Sequence, residues 1–127
     1  MRQWWRRMET GRYHIHGMPS TSQKRACMVY IPVPDRKTAD TLAGAAIHER
    51  LAGCANVLGP MRSMYLWKGA VKREREFLLL LKTTERRVAT LEARMAELHP
   101  YECPCIARID LQRVHTPYLK WLVNSVR

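Results

Sequence analysis

Acidic side chains are scarce in this chain. Eleven Asp and Glu stand against 22 Lys and Arg, a formal net charge of +11 over 127 residues. A basic protein adheres to polyanions at low salt whatever its function, so the charge alone does not name nucleic acid as a partner. The excess is also uneven: residues 1–25 hold Arg2, Arg6, Arg7, Arg12, Lys24 and Arg25 against Glu9 alone. Long apolar runs are absent too. Nothing approaches the roughly 20 residues that span a bilayer, and no membrane is expected as a partner. The basic start lacks the continuous apolar stretch of a secretory signal. Without an oxidising compartment, Cys27, Cys54, Cys103 and Cys105 are expected to be free, buried thiols in a cytoplasmic protein. There is no Gly-x-Ser-x-Gly elbow, no Gly-rich phosphate loop and no His-Glu-x-x-His, and an enzyme is not expected.

What is present is one domain. Residues 1–25 read as a basic, flexible extension with no sustained periodicity. His14 and His16 there lack the further ligands that a metal site needs. Residues 26–127 alternate strand and helix patterns. Ala26 to Val33 reads as a strand, and Pro34-Asp35 opens a helix. Ala39, Leu42, Ala43, Ala46, Ile47 and Leu51 then recur at helical steps, with Gly53 as the stop. Cys54 to Trp67 and Ala70 to Thr83 form a long hairpin around a Lys68-Gly69 turn, with a bulge or edge position at Pro60. Thr84 is placed to cap a second helix, whose stripe is Val88, Leu91, Met95 and Leu98. Pro100 ends it. A fourth strand is expected from Cys103 to Leu111. Thr116-Pro117 then opens a terminal helix.

The order β-α-β-β-α-β is the ferredoxin-like, α+β plan, with both long helices on one face of a four-stranded antiparallel sheet. Two helices cover one face only. Yet Phe77–Leu81 is apolar on both, with Leu78 and Leu80 pointing away from Phe77, Leu79 and Leu81. The uncovered face and the projecting hairpin predict an oligomer. RNA-recognition motifs share this order, but they need aromatics on the open face. Strand 3 offers Phe77 among leucines, so nucleic acid is not an expected partner.

With the order in place, a set of short motifs lines up. They are Val33-Pro34-Asp35, Glu49-Arg50-Leu51-Ala52, Cys54-Ala55-Asn56, Tyr65-Leu66-Trp67-Lys68-Gly69, Glu76, Lys82-Thr83, the junction Leu98-His99-Pro100-Tyr101-Glu102-Cys103-Pro104, Ile109, and Tyr118-Leu119-Lys120-Trp121-Leu122. Over about a hundred residues the chain resembles the CutA family of divalent-cation tolerance proteins. The resemblance implies a homotrimer with wrapping hairpins and a role in response or tolerance to metal ions such as copper. It also implies a polar set, Tyr65, Trp67, Glu76, Lys82, His99, Tyr101 and Glu102, near a cleft between subunits, where a small ligand could bind. The bacterial copper site would use a strand-1 cysteine and two adjacent histidines. Here those positions are Ile31, Leu98 and His99, so one imidazole remains. His99 and Cys103 are the candidate ligands for copper or another divalent cation. Cys105 lies two residues beyond Cys103, a spacing of about 6–7 Å in a strand. Small buried hydrophobes are the expected roles of both thiols. The alternative to a metal-binding protein is a structural trimeric scaffold with protein partners.

Overall fold

The computed structural model describes residues 25–127. The extension with His14 and His16 thus lies, apart from Arg25, outside the described residues. Seven elements follow in the expected order. They are β1 (Ala26–Val33), α1 (Arg36–His48), β2 (Cys54–Trp67), β3 (Ala70–Thr84), α2 (Glu85–Leu98), β4 (Ala107–Asp110) and α3 (Thr116–Ser125). The strands form one antiparallel sheet in the order β2-β3-β1-β4, which is the ferredoxin-like arrangement.

Periodicity sets the core. Val29, Ile31 and Val33 of β1 and Leu79 and Leu81 of β3 share one sheet face. They meet Ala39, Leu42 and Ala46 of α1 and Val88, Leu91 and Met95 of α2, all buried. Each large side chain of this set stabilises the fold by about 1.5–3 kcal/mol relative to exposure. On the opposite face Leu78 and Leu80 are only half-buried.

Element ends differ from expectation where tertiary partners replace local signals. Asp35 caps α1 by accepting the Thr38 amide at 2.7 Å. The helix ends at Glu49 rather than Gly53: Arg50 takes φ 57°, and the Leu51 and Ala52 amides both return to Ala46 O. Gly53 serves close approach instead, since a Cβ there would lie 2.8 Å from Leu122 Cδ1 of α3. Thr84 makes no side-chain cap, because it is still the last ladder residue of β3. The Glu85 amide finds Arg25 O at 2.8 Å. His115, not Thr116, precedes α3, with Pro117 in its first turn. β4 is shorter than the expected Cys103–Leu111. The chain bends at 101–103, Pro104 has no N–H to give, and pairing with β1 starts only at Ala107.

The hairpin carries the largest departure from a closed sheet. β1 pairs with β3 only from Phe77 to Thr84, so Met61–Trp67 and Ala70–Glu76 project as a two-stranded ribbon. Lys68 and Gly69 both have positive φ, 49° and 79°, as a two-residue hairpin turn requires. The expected bulge is present: Leu58 faces Leu78 and Met61 faces Glu76, leaving Gly59 and Pro60 opposite Phe77 alone. Gly59 has φ 145°, and a Cβ there would overlap the Phe77 ring. The peptide bond between Gly59 and Pro60 is cis. Among the described residues no helix is long and apolar enough to cross a membrane.

Candidate functional site

The helix-stop junction places the first group of side chains. Pro100 releases the chain from α2 at His99, whose own amide still bonds Met95 O at 2.9 Å. The His99 ring then turns inward and is 7% exposed. Its Nε2–H donates to Pro32 O at 2.8 Å. Its Nδ1 accepts the Tyr101 amide at 3.2 Å. A carbonyl can only accept, so this tautomer is dictated by the partners. Both ring nitrogens are therefore used in binding the end of β1 to the junction. Neither lone pair is offered to a metal.

Tyr101 lies against that ring, with centroids 4.7 Å apart, and its hydroxyl donates to Glu76 Oε2 at 2.8 Å. Glu76 is one residue beyond the last β1–β3 pair, and it is only 6% exposed. No cation pairs with it among the described residues. Burial, then the Glu76 carboxylate, hold the Tyr101 phenol far above its ordinary range. Tyr65 feels the same field: slight desolvation, then Glu74 and Glu76, push its phenol up. The structure thus brings together His99, Tyr101, Glu76 and Tyr65 of the expected set.

It does not bring the others there. Lys82 is six residues along β3 from Glu76, about 20 Å at strand rise. Its ammonium bonds Asn56 Oδ1 at 3.2 Å and lies 5.7 Å over the Tyr118 ring of α3. Cys54 Sγ reaches the same Asn56 oxygen at 3.7 Å. Burial and the Cys54 thiol raise the Tyr118 phenol. This second cluster was not anticipated. It could have been read from the hairpin: the turn sets Trp67 opposite Ala70, and counting inward with one bulged residue puts Cys54 opposite Lys82. Trp67 sits at the tip under the Lys68 ammonium, 5.7 Å away. Glu102 is exposed.

A groove of about 780 Å³ runs along the ribbon, lined by Met61, Met64, Arg62, Arg73, Glu74 and Arg75 among others. Arg62 stands directly opposite Arg75, a like-charge pair that an outside anion would relieve. Cys103 and Cys105 are both exposed, so the expected burial of these thiols does not hold. Cys27 is the buried one; burial pushes its thiol up to about 11, and it is inert. Among the described residues no three His, Cys, Asp or Glu converge on a common point.

A family model described as CutA1 divalent ion tolerance protein matches residues 27–125. The divalent-cation tolerance protein CutA of Pyrococcus horikoshii is 39% identical over 100 residues, covering 79% of this chain and 97% of that one. The solved divalent cation tolerance protein of Thermus thermophilus shares the fold at a TM-score of 0.78 and 37% identity, over 80% of this chain and 99% of that one. A rice relative, Protein CutA 1, chloroplastic, is 35% identical over 111 residues, covering 87% of this chain and 63% of its own length. The ordered motifs, the sheet topology and these likenesses agree, and the chain belongs to the CutA1 divalent ion tolerance family.

Proposed function

We propose that this chain is a homotrimeric divalent-cation tolerance protein that binds a metal ion or small cationic ligand in a cleft completed by a neighbouring copy. The observation that carries this is Glu76. A carboxylate only 6% exposed that holds one tyrosine hydroxyl and no cation among the described residues is a place where a positive partner from outside the chain would be favoured. The ribbon above it supports the assembly: Met64 is 65% exposed, Leu66 75% and Val71 51%. A lone two-stranded hairpin is marginal in water, and a second copy covering it resolves both problems. Head-to-tail packing closes into a ring when the rotation fits.

Light scattering at micromolar concentration should give about 45 kDa, three copies of 14.9 kDa; a stable monomer rejects the reading. Calorimetric titration with copper(II) should give saturable heat, lost in Glu76→Gln with the trimer intact.

A second reading, a trimeric scaffold for protein partners with no metal site, is favoured by the full engagement of His99. It predicts no saturable heat in either protein. We assign no reaction to the chain. We place it in the cytoplasm on the free-thiol argument alone. Two relatives are named chloroplastic, so the family does not fix the compartment, and cell fractionation decides it.

A further inference from the structure

Three arginines of the projecting ribbon share one face. Arg62 stands opposite Arg75, and the next pair outward on that face is Met64 with Arg73. Alternation puts Arg73 and Arg75 on the same side of β3, about 6–7 Å apart along the strand. All three arginines line the groove of about 780 Å³. None of their guanidinium groups has an ion pair or hydrogen bond among the described residues, where the salt bridges all belong to Arg94 and Arg108.

The nearby carboxylates face the other way. Glu74 and Glu76 alternate with the arginines along β3. Glu76 holds the Tyr101 hydroxyl, and Glu74 acts with it on the Tyr65 and Tyr101 phenols. Glu74 touches the edge of the groove, and it is the only acidic residue among those lining it. The ribbon is thus cationic on one face and anionic on the other. Next along the cationic face comes Phe77, with the Arg36 guanidinium of α1 5.4 Å over its ring. The first turn of α1 adds the positive end of a helix dipole there, and Asp35 beside it is engaged by the Thr38 amide.

Like charges directly opposite destabilise a strand pair, so Arg62 and Arg75 gain when an anion bridges them. A guanidinium fork takes phosphate oxygens two at a time. One phosphate group meets one or two such forks. A chain of two or three phosphates has the charge and the length to meet all three. We infer that this groove binds a compact oligophosphate anion, free or as the phosphate chain of a nucleotide, across Arg62, Arg73 and Arg75. The site lies on the face opposite Glu76 and does not depend on the cleft.

The test is calorimetric titration of the full chain with sodium tripolyphosphate, in metal-free buffer at about 0.15 M salt. One equivalent per chain is expected. Arg62→Gln and Arg75→Gln should each weaken it about tenfold or more, and the double variant should abolish it with assembly size unchanged. Arg86→Gln removes the same charge from an exposed position of α2 and should change the affinity less than about twofold. Glu76→Gln should keep the equivalent. A nucleoside triphosphate that matches tripolyphosphate shows that phosphates alone are read, and a tighter one adds a base packed on Met64; either supports the groove. Equal losses in Arg86→Gln and Arg62→Gln mean general adhesion to a basic protein and overturn the site. So does the absence of saturable heat in the parent chain, which would mean that a neighbouring copy already matches these arginines.

Discussion

His99 illustrates how one side chain can be conspicuous in sequence and committed in structure. Its neighbours Pro100 and Tyr101 mark a junction, and an imidazole beside a tyrosine and a glutamate invites a ligand role. The ring is instead a two-way fastener, donating to Pro32 O and accepting from the Tyr101 amide. His99→Ala should therefore act on stability. It leaves a buried carbonyl and an amide without partners, a loss of about 2 kcal/mol, measurable as a lower urea midpoint. The copper(II) heat should survive, because Glu76 and not His99 carries the proposed cleft. Loss of heat with unchanged stability would restore His99 as a ligand. Sequence could not reveal this, because Pro32 is 67 positions away and contributes a backbone oxygen.

At the scale of elements, the β2–β3 hairpin was largely legible. Lys68-Gly69 specified the turn, and Pro60, lacking a donor, specified where the ladder must slip. Gly59 was not legible as a requirement. Its role depends on φ 145° and on the Phe77 ring that fills the space a side chain would take. Gly59→Ala should cost about 1–3 kcal/mol through overpacking and backbone strain. It should also disturb pairing on both sides of the bulge, visible as faster amide exchange at Leu58 and Met61. Unchanged exchange and stability would mean that the bulge tolerates a side chain. The boundaries of β4 were misplaced for a related reason. Cys103 and Cys105 carry a strand-compatible alternation, but a bend and a proline keep them out of the ladder until β1 offers Tyr30 to Ala107.

At the scale of the whole molecule, stability answers to alkali. Cys27, Tyr101 and Tyr118 all hold their protons above ordinary values, chiefly through burial. A group whose folded pKa is raised contributes stability below its unfolded value and loses it as pH rises through the folded one. Stability should thus decline from about pH 9 upward, with the Cys27 share, at most about 3 kcal/mol, gone near pH 11. Urea midpoints at pH 7.5, 9 and 10.5 test the slope, and Cys27→Ala should flatten its lower half. A flat profile in the parent protein would contradict the buried-thiol account.

The sequence by itself determined the order of elements, the two-helix face, the long hairpin and the family. These follow from apolar period, from Pro and Gly at ends, and from short motifs in fixed order, all of them local along the chain. Tertiary structure alone decided which polar residues meet. It joined Glu76 to Tyr101 and His99 and drew Lys82 away to Asn56 and Tyr118. It also turned Cys103 and Cys105 outward. Such meetings depend on register, on a bulge that shifts it by one, and on the angle at which a proline-broken junction leaves its helix. Hydrophobic period carries none of that information, because it constrains faces and not partners.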